Sequence, residues 1–480
     1  MLNDDIIRAI CAEISDDFDH LDPKGLLSLG LASRIFLEPA LDVLWESIEG
    51  IEPLLSVLPE TTLVNGKKMF LRPIAPSSRD RLHFYTSRVR KFFAPSGDKQ
   101  WNVHDSVYTC LGQDKPIFPR LRTLHLNLHL CDSNAFTFFF ATSLRVVSFP
   151  RDWRASVDAS SDLGPSLALL VSKSPGLKSL TLNNYTFSGL SLSLRRLLGL
   201  EYLSAMRLSH LEVDSIQAIA SLPKLTDLAL TIPVGVLDYT GVESGFPLLT
   251  TIALEGSTSD TRKFLAVAKP QALWHLTIDW RFKPFADQSP LVDIAAITQL
   301  LPSFSFLQSL EINKAALSSL PADLDEQQLW SLFEPLLELK RLEYLHYNIP
   351  LPVSDQKTAR IARAWPHLKD LYLYSADGLS SLESLAHFTR HCPDLKSLRY
   401  PIELQTAPST MIPPTLFPHP LRTFETNGEP DVMNAPAIAL GLHQIFPNLV
   451  YAEGDGNNWT LVRKILDSFT FLRQQNRQFE

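Results

Sequence analysis

His387 and His391, four residues apart with Cys392 beside them, come nearer than any other residues of this sequence to the spacing of a metal site. On one helix face such a pair could supply two ligands, but the glutamate position of a His-Glu-x-x-His arrangement holds Phe388. These residues fit a solvated pair of surface histidines better. His125 and His129 repeat the interval in a stretch of strand character, where four residues span about 13 Å and the rings do not meet. Cys11, Cys110, Cys131 and Cys392 lack the paired spacing of a zinc site or a disulfide framework and read as reduced thiols. The sequence shows neither a glycine-rich phosphate loop nor a nucleophile elbow. It therefore points away from catalysis, and no metal or cofactor is expected.

Charge narrows the partners. The chain has 480 residues and a net charge of −8, whereas nucleic-acid binding requires clustered Lys and Arg. One basic stretch exists: Lys67, Lys68, Arg72, Arg79, Arg81, Arg88, Arg90 and Lys91. Ser77 with Asp80 three residues on can start a helix there, carrying Leu82, Tyr85, Val89 and Phe92 inward, so the cations read as its solvated face. The acidic opening, Met1-Leu-Asn-Asp-Asp5, is unlike a signal peptide. The longest stretch without Asp, Glu, Lys or Arg, Val432 to Ala452, contains Asn434, Pro436, His443, Gln444, Pro447 and Asn448 and is too polar to span a membrane. An intracellular protein of cytoplasm or nucleus, with no nucleic-acid or membrane partner, is expected.

The elements that would position any site follow from a repeat. Leu-x-x-Leu-x-Leu begins at Leu121, Leu177, Leu225, Leu249, Leu273, Leu307 and Leu368, with weaker copies at Leu144, Leu200, Leu342, Leu395, Leu421 and Leu449. Most intervals between these anchors lie in the 20–29-residue range of leucine-rich repeats. The fourth and sixth positions share one face of a short strand, and the anchor leucine packs beside them. One such strand cannot bury its apolar face; stacked copies bury it together. Helical segments intervene: Asp214–Leu222, Val292–Leu301, Asp325–Leu339, Ser354–Ala364, Ser380–His391 and Ala435–Phe446. Proline stands two residues before the anchor at Pro119, Pro175, Pro223, Pro247, Pro366, Pro393 and Pro447, where it ends the preceding helix. The ninth position, usually Asn or Cys, holds His129, Tyr185 and Ala315 in three copies. The expected fold class is α/β: a leucine-rich-repeat solenoid, a curved parallel sheet with outer helices.

Residues 1–48 do not share the repeat. Ile6, Ile10 and Ile14 form one helical stripe with Ile7 beside it, Asp22-Pro23 opens a second helix, and Leu41, Leu44, Trp45 and Ile48 belong to a third. The expected organisation is a three-helix module at 1–48, then a helical linker and N-terminal cap at 49–118. A solenoid of about 13 degenerate repeats at 119–456 and a C-terminal capping helix at 457–480 complete it.

The run Leu2-Asn-Asp-Asp-Ile6-Ile7-Arg-Ala-Ile10, then Leu26-Leu-Ser-Leu-Gly-Leu-Ala-Ser-Arg34-Ile-Phe36 and Pro39-Ala-Leu41-Asp-Val-Leu44-Trp45, resembles an F-box. It is most similar to that of fungal F-box/leucine-rich-repeat proteins. Phe70-Leu-Arg-Pro73 and Arg81-Leu-His-Phe-Tyr85-Thr-Ser-Arg88-Val89-Arg90 resemble the segment that follows it in mushroom-forming fungi. The resemblance implies docking on a Skp-type adaptor, and through it a cullin, in a ubiquitin ligase. By position Leu2, Ile6, Ile7, Leu27, Leu31, Phe36 and Trp45 would be the apolar contacts or their support. The alternative is that all seven form the small core of the module.

Positions 3, 5 and 7 of each repeat point away from the leucine core toward the concave sheet. They include Asp227, Glu255, Asp279, Glu311, Asp370, Glu425, Glu453 and Asp455, with Arg399 as their one Lys or Arg. Tyr344, His346, Tyr372, Tyr374 and Tyr451 join them. Acids among tyrosines favour a protein substrate with a basic segment and disfavour a buried inositol phosphate. The expected function is substrate recognition within a Skp–cullin–F-box-type ubiquitin ligase. A leucine-rich-repeat scaffold or inhibitor without a ubiquitin role is the alternative.

Overall fold

The computed structural model describes residues 4–14, 22–94, 103–111, 116–126, 137–149, 162–208, 211–233, 235, 239, 242, 245–280, 290–313, 325–375, 379–404, 419–427, 432–454 and 457–479. The chain divides into two compact units, Met1–Leu225 and Thr226–Glu480.

The first unit opens with helices α1 (Asp4–Glu13), α2 (Pro23–Ala32) and α3 (Arg34–Leu44). Strand β1 (Ser47–Glu49), helix α4 (Glu52–Ser56), hairpin strands β2 (Thr61–Val64) and β3 (Lys67–Phe70), and helix α5 (Pro76–Thr86) follow. Next come β4 (Lys91–Phe93), α6 (Asp105–Leu111), β5 (Thr123–His125), β6 (Val146–Phe149) and α7 (Gly164–Lys173). The unit ends with β7 (Ser179–Leu182), α8 (Leu190–Leu194), β8 (Tyr202–Ala205) and α9 (Val213–Ala220). Strands β1, β4, β5, β6, β7 and β8 pair in that order, all parallel. Their inward residues Ile48, Phe92, Leu124, Val147, Leu180 and Leu203 are in register and buried.

The second unit repeats one plan. Its parallel strands are β9 (Asp227–Thr231), β10 (Thr251–Glu255), β11 (His275–Asp279), β12 (Ser309–Asn313), β13 (Tyr344–Tyr347), β14 (Asp370–Leu373), β15 (Ser397–Arg399), β16 (Thr423–Thr426) and β17 (Tyr451–Gly454). Return helices are α10 (Thr258–Ala268), α11 (Pro290–Leu300), α12 (Glu326–Phe333), α13 (Asp355–Ala364), α14 (Ala386–His391) and α15 (Ala435–Ile445). Helix α16 (Trp459–Phe479) closes the chain, packed on α15 and β17. Leu228, Ile252, Leu276, Leu310, Leu345, Leu371, Leu398, Phe424 and Ala452 stack in register as one buried ladder. The chain thus has the α/β leucine-rich-repeat architecture.

Each anchor leucine is at most 3% exposed, and a strand starts two residues after every one. Two hydrogen-bond devices fix that phase. The carbonyl just before a strand accepts two N–H groups of the next rung: Glu343 O accepts from Lys369 N at 2.7 Å and Asp370 N at 3.1 Å. The anchor N–H closes a turn onto the carbonyl three residues back, as Leu368 does to Trp365 at 3.3 Å and Leu395 to Cys392 at 3.2 Å. Pro119, Pro175, Pro247, Pro366, Pro393 and Pro447, each two residues before an anchor, occupy the second residue of such a turn. The fixed φ of proline suits that position and it has no N–H to lose. The prolines therefore build the turn as well as ending the helix.

Three features depart from the expectations. The parallel sheet begins at β1 and β4, ahead of the first anchor leucine: Ile48 and Phe92 continue the ladder, and buried Val89 stands in the anchor position before β4. The segment expected to be a helical linker contains the β2–β3 hairpin, turned at Asn65 and Gly66 with φ of 50° and 79°. Helix α5 ends at Thr86, so Val89 and Phe92 are buried from the following turn and strand rather than from the helix.

Candidate functional site

The three-helix module has a very small interior. Helices α1 and α2 both pack on α3 around buried Cys11, Leu26 and Ala40, with Ile14, Leu29, Phe36 and Val43 half-buried against them. Ile7 is also buried. The inward line of α1 is thus Ile7, Cys11 and Ile14, at i, i+4 and i+7, with the cysteine acting as a small hydrophobe. This corrects the expected stripe: Ile6 and Ile10 face outward. Asp22 caps α2, accepting from Lys24 N at 3.1 Å and Gly25 N at 3.0 Å.

The residues expected to meet an adaptor therefore divide. Ile6 is 49% exposed, Leu27 51% and Leu31 75%, while Ile7 is buried and Phe36 and Trp45 are half-buried supports. Leu2 lies outside the described residues. Ile10, Ile35 and Leu37 are exposed as well, and sequence reasoning passed them over as contacts. The i, i+4 pairs Ile6/Ile10 and Leu27/Leu31 give α1 and α2 each an outward apolar stripe.

The module is fixed to the sheet through α3 and the end of α5. Arg88, just past α5, binds both Glu38 and Asp42 of α3 and lies over the Phe84 ring at 4.4 Å. The Trp45 and Tyr85 rings pack against each other, tilted by 39° with centroids 4.6 Å apart. A two-carboxylate clamp on one guanidinium is charge-assisted and directional. The basic stretch of the sequence thus acts partly as a bracket between module and repeats.

On the open face of the second unit, register aligns Glu311, His346, Tyr372, Arg399, Glu425 and Glu453 in one row across β12–β17. Tyr344 and Asp370 are neighbours in the flanking row, and Tyr451 opens β17. Tyr374 lies just beyond β14, half-buried. His346 Nε2 meets Asp370 Oδ1 at 2.9 Å, and the hydrogen bond to Asp370, with the nearby charges of Asp370 and Glu311, raises the histidine pKa against the effect of burial. Arg399 lies over the Tyr372 ring at 4.8 Å and reaches Glu425 at 3.3 Å. Arg463 of α16 binds Glu453 at 3.2 Å and covers Tyr451 at 5.2 Å, while the Tyr451 hydroxyl donates to Glu453.

These contacts change the expected electrostatics. Asp370 and Glu425 are engaged by His346 and Arg399 of the face itself, and Glu453 by Arg463 of α16. Among the described residues Glu311 accepts only from neutral groups, Asn313 at 2.7 Å and Thr277 at 3.4 Å. Glu255 is buried. The face is a row of charge pairs over tyrosines rather than an open acidic strip, and of Glu311, Asp370, Glu425 and Glu453 only Glu311 still favours a basic ligand. Arg463, the second cation, escaped the sequence reading because a capping helix discloses neither its direction nor its reach.

Cys392 is buried, with its thiol directed at the Ala362 and Trp365 carbonyls at 3.3 and 3.4 Å, and burial pushes its pKa up to about 12. His387 and His391 sit half-buried on α14; burial, then Arg390 and Arg363, lower the pKa of His387. His125 stacks on Phe93 at 4.7 Å; His129, Cys131, Ala315 and Asp455 lie outside the described residues. Among the described residues no group of three His, Cys, Asp or Glu is placed to hold a metal, and no helix is long and apolar enough to cross a membrane.

No family model and no curated protein matches the chain. Among solved structures, a leucine-rich-repeat protein of Leptospira interrogans is similar at 14% identity and TM-score 0.41, over 88% of this chain and 98% of its own. The leucine-rich-repeat protein LegL7 of Legionella pneumophila aligns at 15% identity and TM-score 0.33, over 72% of this chain and 98% of its own. A chain of the yeast Rad7–Elc1 complex aligns at 15% identity and TM-score 0.38, over 82% and 92%.

Proposed function

We propose that the chain is a substrate-recognition subunit of a Skp–cullin–F-box-type ubiquitin ligase, acting inside the cell. In this reading α1–α3 dock on a Skp-type adaptor, and the adaptor links the chain to a cullin. The open sheet face holds a protein substrate, and ubiquitin transfer belongs to other subunits. The observation that carries it is the exposure of Ile6, Leu27, Leu31 and Ile35 on a module whose own interior is so small. An apolar patch left in water on so small a fold marks a surface meant to be covered. Arg88 and its clamp would transmit the docked orientation to the repeats. On the substrate side Tyr344, Tyr372 and Arg399 are the anchors, since rigid aromatic and guanidinium groups contribute most at protein interfaces.

Co-expression with a Skp-type adaptor, followed by affinity capture of the full chain, tests the reading. Parent protein should retain the adaptor, and a Leu27→Asp/Leu31→Asp variant should lose it while keeping its thermal midpoint. Capture of the adaptor by neither protein would leave the repeats as a scaffold or inhibitor without a ubiquitin role.

A further inference from the structure

We propose that the leading edge of the first unit's sheet is a docking strip for a short acidic polypeptide segment. The residue immediately before each strand reads Glu46, Arg90, Arg122, Arg145, Lys178 and Glu201 along β1, β4, β5, β6, β7 and β8. Backbone hydrogen bonds hold these positions side by side. Arg122 N donates to Arg90 O, Arg145 N to Arg122 O, and Lys178 N to Arg145 O, each at 2.8 Å. Four cations therefore occupy adjacent rungs, about 4.8 Å apart. Arg122, Arg145 and Lys178 are exposed, and Arg90 is half-buried.

The acids at the two ends of the row are occupied. Glu46 pairs with Lys91 at 3.4 Å and Glu201 with Lys178 at 2.9 Å. Among the described residues Arg90, Arg122 and Arg145 have no carboxylate partner. Arg145 donates to the Thr142 and Leu144 carbonyls at 3.2 and 2.9 Å, which orients the guanidinium without neutralising it. Beyond the edge, the outward positions of β4–β8 are Lys91, Phe93, Thr123, His125, Val146, Ser148, Ser179, Thr181, Tyr202 and Ser204, without one carboxylate. Like charges on neighbouring strands destabilise a sheet, so the fold carries a repulsion that an anion would relieve.

The dimensions select the anion. Glu46 and Glu201 bound the strip to three interstrand steps, about 14 Å. That is short for a nucleic-acid track, and the whole chain carries a charge of −8. A few consecutive Asp or Glu side chains fit, each carboxylate accepting paired N–H groups from a guanidinium. The proposal is independent of the adaptor reading, and its test needs no adaptor.

The test is fluorescence anisotropy of a labelled oligoglutamate peptide titrated with the full chain, with an oligothymidine of equal charge alongside. The peptide should bind, more weakly as salt rises, and Arg122→Glu/Arg145→Glu should bind it about tenfold more weakly or worse. Lys464→Glu, exposed on helix α16 of the second unit, should match the parent. Should the double reversal fail to fold, Arg122→Gln/Arg145→Gln removes the two charges without introducing new ones, and its peptide binding should still fall several-fold with no drop in thermal midpoint. Absence of peptide binding, equal binding by the variants, or tighter binding of the oligothymidine would overturn the proposal.

Discussion

His346 and Asp370 form a contact of the open face whose charge depends on pH. The histidine should titrate above its ordinary value of about 6.5, and Asp370→Asn should bring it down, as read from imidazole proton shifts in an NMR titration. The sign for stability follows from the raised folded pKa. The pair stabilises the fold below the unfolded pKa, and that contribution is lost as pH rises through the folded value. Asp370→Asn should therefore cost more stability at about pH 6 than at about pH 8. Thiol chemistry separates two cysteines in the same way. Cys110 is exposed, whereas Cys392 is buried with its pKa pushed up to about 12. Brief treatment of native protein with iodoacetamide should label Cys110 and spare Cys392 by peptide mass spectrometry; equal labelling would contradict the buried placement.

At the scale of elements, the ladder is where stability resides. Leu371→Ala should cost about 2–5 kcal/mol in chemical denaturation, whereas Leu31→Ala, on the outward face of α2, should stay within about 0.5 kcal/mol. Gly66→Ala should cost roughly 1 kcal/mol, since the turn holds it at φ 79° with open space around it. The sequence displays these elements unevenly, for physical reasons. Every rung with an anchor leucine was legible, because burying an anchor with its strand partners demands a repeated apolar spacing. Rungs β1 and β4 were not, since neither carries an anchor leucine; before β4 the buried Val89 takes that place and closes its turn onto Thr86 O at 3.3 Å. The β2–β3 hairpin carried a readable signal, Asn65-Gly66, the residue pair that tolerates positive φ at both central turn positions. The contents of the open face were legible as a set of residues. Their pairing was not, because it depends on register between rungs about 25 residues apart and on Arg463 arriving from α16.

For the whole molecule, the proposed function needs separate surfaces for separate partners: the outward stripes of α1 and α2 would meet an adaptor and the row from Glu311 to Glu453 a substrate, while the clamp at Arg88 joins module to repeats. The most direct test is hydrogen–deuterium exchange of the full chain with and without a purified Skp-type adaptor. The account predicts added protection in peptides of α1–α3 and unchanged exchange in β12–β17. Protection in the strands with none in the helices, or no change anywhere at saturating adaptor, would contradict it.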